Sequence, residues 1–172
     1  MKTIIIDDIE YTLTKVNAPE VEYKQETVAI LGLEYKTIKS SVTDRVWLDR
    51  NLGATRVAKS IEDTLSYGHY LTWEEAIAIA DTIKGFRVPT IDELSAELIA
   101  DRSDAYSKLK LPSAGYRDDE SGSTNLQGSS CFLWSSSLSG TYSQNVHFSN
   151  SSAYESYNKH ACCFSVRLIK EL

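Results

Sequence analysis

Two threonine–glutamate pairs fix where helices can begin in this chain. Thr72 is followed by Trp73-Glu74-Glu75, and Thr90 by Ile91-Asp92-Glu93. In each case a hydroxyl residue stands three positions before a glutamate. That is a capping box: the threonine oxygen takes the glutamate N–H, and the glutamate reaches back to the threonine N–H. The first predicted helix covers residues 73–83, with Trp73, Ala76, Ile77, Ala80 and Ile83 on one face. Gly85 stands where a C-cap belongs. The second helix follows Val88-Pro89, where the proline keeps Val88 extended. Its predicted buried stripe is Ile91, Leu94, Leu98 and Ile99. The remainder reads as short strands and loops on either side of two central helices. That order predicts an α+β fold, not an alternating βαβ chain.

The strand signals begin at the head. Thr3-Ile4-Ile5-Ile6 leads through Asp7-Asp8 into Ile9-Glu10-Tyr11-Thr12-Leu13-Thr14, which predicts a short β-hairpin. Asn17-Ala18-Pro19-Glu20 then reads as a break. A lone hairpin is marginal in water and needs something to pack on. Residues 1–34 therefore divide off as an attachment or oligomerisation segment, with an edge hairpin of the main domain as the alternative. Residues 35–172 form that domain, anchored early by Trp47, Leu48 and Leu52. Ser66-Tyr67-Gly68-His69-Tyr70-Leu71 makes an aromatic turn ahead of the first helix, in which His69 is expected to pack.

The stretch from Ser129 to Ile169 has apolar ends and a polar middle. Cys131-Phe132-Leu133-Trp134 and Phe164-Ser165-Val166-Arg167-Leu168-Ile169 supply the area that core strands must bury. Between them lie Tyr142, Asn145, His147, Ser149, Asn150, Tyr154, Tyr157, Asn158 and His160. Tyrosine offers a broad amphipathic face, and Ser and Asn offer adaptable hydrogen bonds, which is the chemistry of a paratope. The alternative is a polar loop without a partner. Within Gln144–Ser149 the strand period predicts Val146 and Phe148 inward, and Asn145, His147 and Ser149 outward.

A net charge of −6 sets the global field against nucleic acid and anionic lipid. No window nears the roughly 20 apolar residues of a membrane span. Asp7 and Asp8 end the first apolar run well short of a signal peptide, so synthesis in a cytoplasm without export is expected. Three cysteines, Cys131, Cys162 and Cys163, lack metal-ligand spacing and are expected to be buried thiols. A disulfide from Cys131 to one of the other two is the alternative.

Taken together and in order, several segments carry a resemblance. They are Val46-Trp47-Leu48-Asp49-Arg50-Asn51-Leu52-Gly53-Ala54, Tyr67-Gly68-His69-Tyr70-Leu71-Thr72-Trp73-Glu74-Glu75-Ala76, Gly85-Phe86-Arg87-Val88-Pro89-Thr90, Ala114-Gly115-Tyr116-Arg117, Leu133-Trp134-Ser135-Ser136-Ser137 and Phe164-Ser165-Val166-Arg167-Leu168. Over residues 35 to 170 the chain resembles the Fibrobacter succinogenes major-domain family. It is also similar to the variable proteins of diversity-generating retroelements, such as phage tropism determinants. The resemblance implies a C-type lectin-like fold with two helices, short antiparallel strands and long loops. It implies a non-enzymatic binding module, a receptor- or glycan-recognising tail- or head-fibre tip of a phage-like virion used in host adhesion. The ligand face would be hypervariable and lie in residues 140–162, drawn from the nine polar and aromatic residues named above. By the same analogy the protein would be a homotrimer located on the virion and made in the host cytoplasm. Its partners would be a bacterial surface glycan or protein receptor, with other virion proteins held through the N-terminal segment. No nucleic acid or membrane partner is implied. The second reading is a structural virion decoration or fibre protein that binds only its neighbours.

No catalytic signature supports an enzyme. Calcium-dependent sugar binding needs carboxylates beside the Trp134 strand, where the sequence has Ser135 and Ser136, so no cofactor is carried over. Asp118, Asp119 and Glu120 read as a solvated turn, and His69, His147 and His160 lack metal spacing. Cys162 and Cys163 do not reproduce the cysteine pair of copper-dependent relatives of the fold. Arg87 and Arg167 are expected to pair with acids near the sheet.

Overall fold

Both capping boxes form. In the computed structural model, which describes the backbone of residues 2–6 and 9–13 and residues 22–171 in full, the Thr72 side chain accepts from Glu75 N and the Glu75 carboxylate accepts from Thr72 N. Thr90 and Glu93 do the same for the second helix. The first helix, α1 (Trp73–Ala80), buries Ala76 and Ala80. It stops short of the predicted end at Ile83. There Thr82 N and Ile83 N turn to bond Ile79 O and Ala80 O, three residues back, which tightens the chain towards Gly85 at φ +80.

In chain order the strands before α1 are β1 (Lys2–Ile6), β2 (Ile9–Leu13), β3 (Thr27–Ile30), β4 (Leu33–Lys39) and β5 (Val46–Leu48). After α1 come β6 (Phe86–Arg87), α2 (Ile91–Ser95), α3 (Arg102–Leu109), β7 (Tyr116–Arg117) and β8 (Thr124–Asn125). The last strands are β9 (Cys131–Ser139), β10 (Tyr142–Phe148), β11 (Ala153–Asn158) and β12 (Ile169–Lys170). The protein is thus α+β, with few helices and strands that pair antiparallel in all four sheets. β1 and β2 pair from Lys2 opposite Leu13 to Ile6 opposite Ile9, so the predicted N-terminal hairpin is present. The predicted break at 17–20 lies outside the described residues.

Among the described residues there are three α-helices, not the predicted two. α3 escapes a periodicity search because it buries only Ala105 and Leu109. Its stability is local. Asp101 Oδ1 accepts from Ser103 N and Asp104 N, and Asp104 pairs with Lys108 one turn on at 2.8 Å. The stripe predicted for the second helix also needs correction at Leu98. α2 ends at Ser95, Leu98 takes φ +51, and its side chain is 71% exposed. Ile91, Leu94 and Ile99 are buried as expected.

The core has two parts, one on each face of the sheet β11-β10-β9. One joins Trp134, Phe164, Leu71, Val166 and α1; the other joins Leu133, Val146, Phe148, Cys131, Leu94, Ile99 and Leu109. The run from Phe164 to Leu168 is extended and bridges both main sheets, though it is not the regular strand its sequence suggests. Trp134 N bonds Ser165 O at 3.2 Å, Leu52 N bonds Val166 O at 2.9 Å, and Leu48 N bonds Leu168 O at 3.0 Å. It ends in β12, which pairs with β5 and β6 inside the sheet β3-β4-β5-β12-β6.

Buried charges hold this frame in register. The Glu93 carboxylate bonds Arg87 through two guanidinium nitrogens at 2.7 Å and Arg45 at 2.5 Å. Hydrogen bonding from Arg87 holds its pKa down at about 2. Arg87 therefore pairs with an acid as expected, whereas buried Arg167 donates to Leu48 O, Leu109 O and Asn51 Oδ1 instead. Glu97 is fully buried and accepts from Ser40 Oγ, Thr43 Oγ1 and Trp47 Nε1. His69 is exposed, not packed away as its aromatic turn suggests, and its ring lies so close over Gly53 that an added Cβ would lie 2.1 Å from it. Removing the Glu97 carboxyl would strand three donors. Glu97→Ala is expected to cost about 3 kcal/mol or more in urea unfolding, and Glu97→Gln, which keeps an acceptor, distinctly less.

Candidate functional site

The predicted ligand segment folds as a β-hairpin, not as loops. β10 and β11 pair without a register break from Ser143 opposite Asn158 to Phe148 opposite Ala153. Since side chains alternate along a strand, the pairing sorts the candidates onto two faces. Tyr142, Gln144, Val146 and Phe148 share one face with Tyr157, Glu155 and Ala153. Ser143, Asn145 and His147 share the other with Asn158, Ser156 and Tyr154.

On the first face α2 packs against β9 and β10, and Val146 and Phe148 are buried in the core beneath it. α2 is too short to cover the whole hairpin. Beyond it Tyr142 and Tyr157 stand 41% and 62% exposed, their rings 5.8 Å apart and tilted by 54°. Gln144, directly opposite Tyr157, is half-buried beside them. Two aromatic faces and an amide thus converge at the free end of the hairpin.

The second face corrects the outward placement of Asn145 and His147. Both are buried, as is Ser143, because the core around Trp134 and Phe164 lies on this side of the sheet. Asn145 Nδ2 donates to Asn158 Oδ1 at 3.0 Å. His147 stacks on Phe132 with ring centroids 4.2 Å apart, and its Nδ1 is hydrogen-bonded to the Tyr154 hydroxyl. Tyr154 is 50% exposed, yet its hydroxyl is turned back to the histidine. Ser143 Oγ, Asn145 Oδ1 and His147 Nε2 form a row of buried polar atoms with no hydrogen-bond partner among the described residues.

The other candidates fall elsewhere. Asn150 is exposed and Ser149 half-buried in the turn from β10 to β11, where the Ser149 backbone N–H and hydroxyl bond Ser152. His160 lies past β11, its ring tilted by 36° against Trp73 with centroids 4.7 Å apart and its Nδ1 2.6 Å from Glu74. It is tied to the start of α1, away from Tyr142 and Tyr157 by the break in the strand after Asn158.

A bulge in β9 sets the free end apart. Ser143 pairs with Leu138 but Asn145 pairs with Trp134, so β9 spends extra residues across this step. Those residues are the serines of the Trp134-Ser135-Ser136-Ser137 motif, and each is used. Ser135 O accepts from Trp73 Nε1 at 2.8 Å, Ser136 N donates to Pro89 O at 2.7 Å, and Ser137 Oγ accepts from Ile91 N at 3.0 Å. The starts of both α1 and α2 are therefore pinned to one bulge. Gln144 belongs to the same arrangement, with its carbonyl accepting from Ser135 Oγ at 2.8 Å; it was absent from the candidates, although its place two residues after Tyr142 on the strand period signalled it.

Among the described residues no three His, Cys, Asp or Glu side chains are grouped to hold a metal ion. Cys131, Cys162 and Cys163 are free thiols, the first and last buried as expected but Cys162 only half-buried; burial pushes Cys131 up to about 12, and burial with the nearby Asp119 raises Cys162. Cys162 and Cys163 precede the extended run, and Cys163 Sγ accepts from Arg117 Nη2 at 3.4 Å.

Burial pulls His147 below its ordinary value. The unfolded chain then binds a proton on this residue first as the pH falls. The contribution of His147 to stability is full above pH 6.5 and is lost progressively below it. A declining Tm between neutral pH and pH 5, with a shallower slope in His147→Gln, is the expected result of thermal melts.

A family model described as a domain of unknown function (DUF8237) matches residues 90–169, from the cap of α2 to β12. No curated protein and no solved structure matches the chain.

Proposed function

We propose that the protein is a non-enzymatic recognition module of C-type lectin-like fold, carried at the tip of a phage-like fibre and directed to a bacterial surface glycan or protein receptor. The observation that carries this reading is the Tyr142–Tyr157 pair. Large aromatic side chains are exposed together at the end of a hairpin whose base is anchored in two cores. Tyrosine pairs of this kind present contact area at little rotamer cost, and Gln144 adds an amide beside them. Sugar rings and peptide groups both suit an aromatic platform edged by hydrogen-bonding groups. Single sites would be weak, and copies on one particle would raise avidity.

The contact surface is narrower than the sequence alone implies. It centres on Tyr142, Gln144 and Tyr157, with Asn150 on the turn at the opposite end of the hairpin. Asn145 and His147 support it from within, and Tyr154 serves His147. The N-terminal hairpin is the natural attachment to neighbouring virion proteins, because two strands on their own remain marginal.

The test is binding of the purified protein to a panel of bacterial cells and surface glycans. Tyr142→Ala/Tyr157→Ala should weaken binding roughly tenfold or more while leaving the melting temperature near that of the wild type. Tyr154→Ala should do the reverse, lowering stability through His147 and sparing the affinity. Absence of binding even by a multimerised protein would favour the structural fibre reading instead.

A further inference from the structure

β11 closes one side of the sheet β11-β10-β9, and among the described residues no strand pairs beyond it. Its backbone groups from Ala153 to Asn158 bond β10 on one side, and no other backbone bond from them exists among the described residues. Open edges of this kind template pairing with another chain, and proteins usually blunt them with proline, lysine, a bulge or a cover. Among the described residues β11 has none of these. Its sequence Ala-Tyr-Glu-Ser-Tyr-Asn contains neither proline nor lysine, its register on β10 is unbroken, and every residue in it is exposed or half-buried.

We propose that this edge pairs with the same edge of a second copy, joining two three-stranded sheets into one across a two-fold axis. The strand itself selects the register. A two-fold axis normal to the sheet keeps each face on its own side, so opposed residues must have the same parity and the axis must pass midway between one residue and its own copy. The two registers that keep most of β11 paired centre on Glu155 or on Ser156. Centring on Glu155 sets two carboxylates opposite each other, which is unfavourable for directly opposed pairs. Centring on Ser156 sets Glu155 opposite Tyr157 of the other copy and Tyr154 opposite Asn158. The first of these pairings joins a hydroxyl donor to a carboxylate acceptor, and it occurs twice. The only charged residue of the strand thereby meets a tyrosine hydroxyl and not its own image.

Such a contact is isologous and closes at two copies, unlike the trimer that the family resemblance implies. It leaves the Tyr142 rings on the same side of one continuous sheet, one from each copy. The pairing does not depend on what those rings bind, so either conclusion can fail without the other.

The test is the mass of the full-length chain by light scattering across a dilution series, together with cross-linking. The wild type should dimerise with rising concentration. Tyr157→Glu, at an exposed position, sets a second carboxylate opposite Glu155 of the other copy and should shift the chain to monomer with an unchanged circular dichroism spectrum. Adding Glu155→Lys to that variant should restore the dimer. Ser156→Cys should form an intermolecular disulfide under a mild oxidant, because the Cα atoms of directly opposed residues lie about 4.5–5.5 Å apart, within disulfide reach, while the same change at Asn150 should not. A wild type that stays monomeric, a trimer, or a dimer indifferent to Tyr157→Glu would each overturn the proposal.

Discussion

A fully buried guanidinium is the constraint on which the rest of the structure turns. Arg167 lies inside the protein, and burial brings its pKa down to about 10, so it stays protonated at neutral pH. With no carboxylate in direct contact among the described residues, its charge is met by the carbonyls of Leu48 and Leu109 and by Asn51 Oδ1. These acceptors come from the end of β5, the loop after it and the end of α3. Leaving such a charge uncompensated would cost several kcal/mol, so those three places must close together around the C-terminal run. That run in turn bridges the five-stranded sheet and β9, and thereby fixes the base of the candidate site.

Glu93 in α2 and Glu97 just past its end extend the same logic. One ties the helix to Arg87 and Arg45, the other to the turn at Ser40 and Thr43 and to Trp47. α2 is only a few residues long, too short to be stable by itself. It is held by these carboxylates, by its cap and by Ser137. Its shortness also shapes the candidate site: the helix covers Val146 and Phe148 but leaves Tyr142 and Tyr157 uncovered.

What the sequence discloses is what is decided locally. The capping boxes at Thr72 and Thr90 were legible because donor, acceptor and spacing all lie within four residues. The apolar run at Cys131–Trp134 was legible because it matches strand propensity. α3 was not, since a helix that buries only two small patches carries no periodic signal; its cap at Asp101 and the Asp104–Lys108 pair were the available clues. The burial of Asn145 and His147 was hidden for a different reason. Strand alternation assigns faces correctly but says nothing of whether the second face is wet, and here a second core covers it. The division of the candidates onto two faces needs the pairing of β10 with β11, which only the folded chain supplies.

The bulge at Ser135–Ser137 has one more effect. It is the point at which the offset between β9 and β10 changes, so the hairpin tip from Leu138 to Ser143 keeps its own alignment, distinct from that of the core-bound part. A length change in that tip meets slack before it meets the packed residues at Trp134 and Asn145. The chain thus contains a splice point: one end of the hairpin can be rewritten in length or composition while the other end, and the two helices pinned beside it, keep their places.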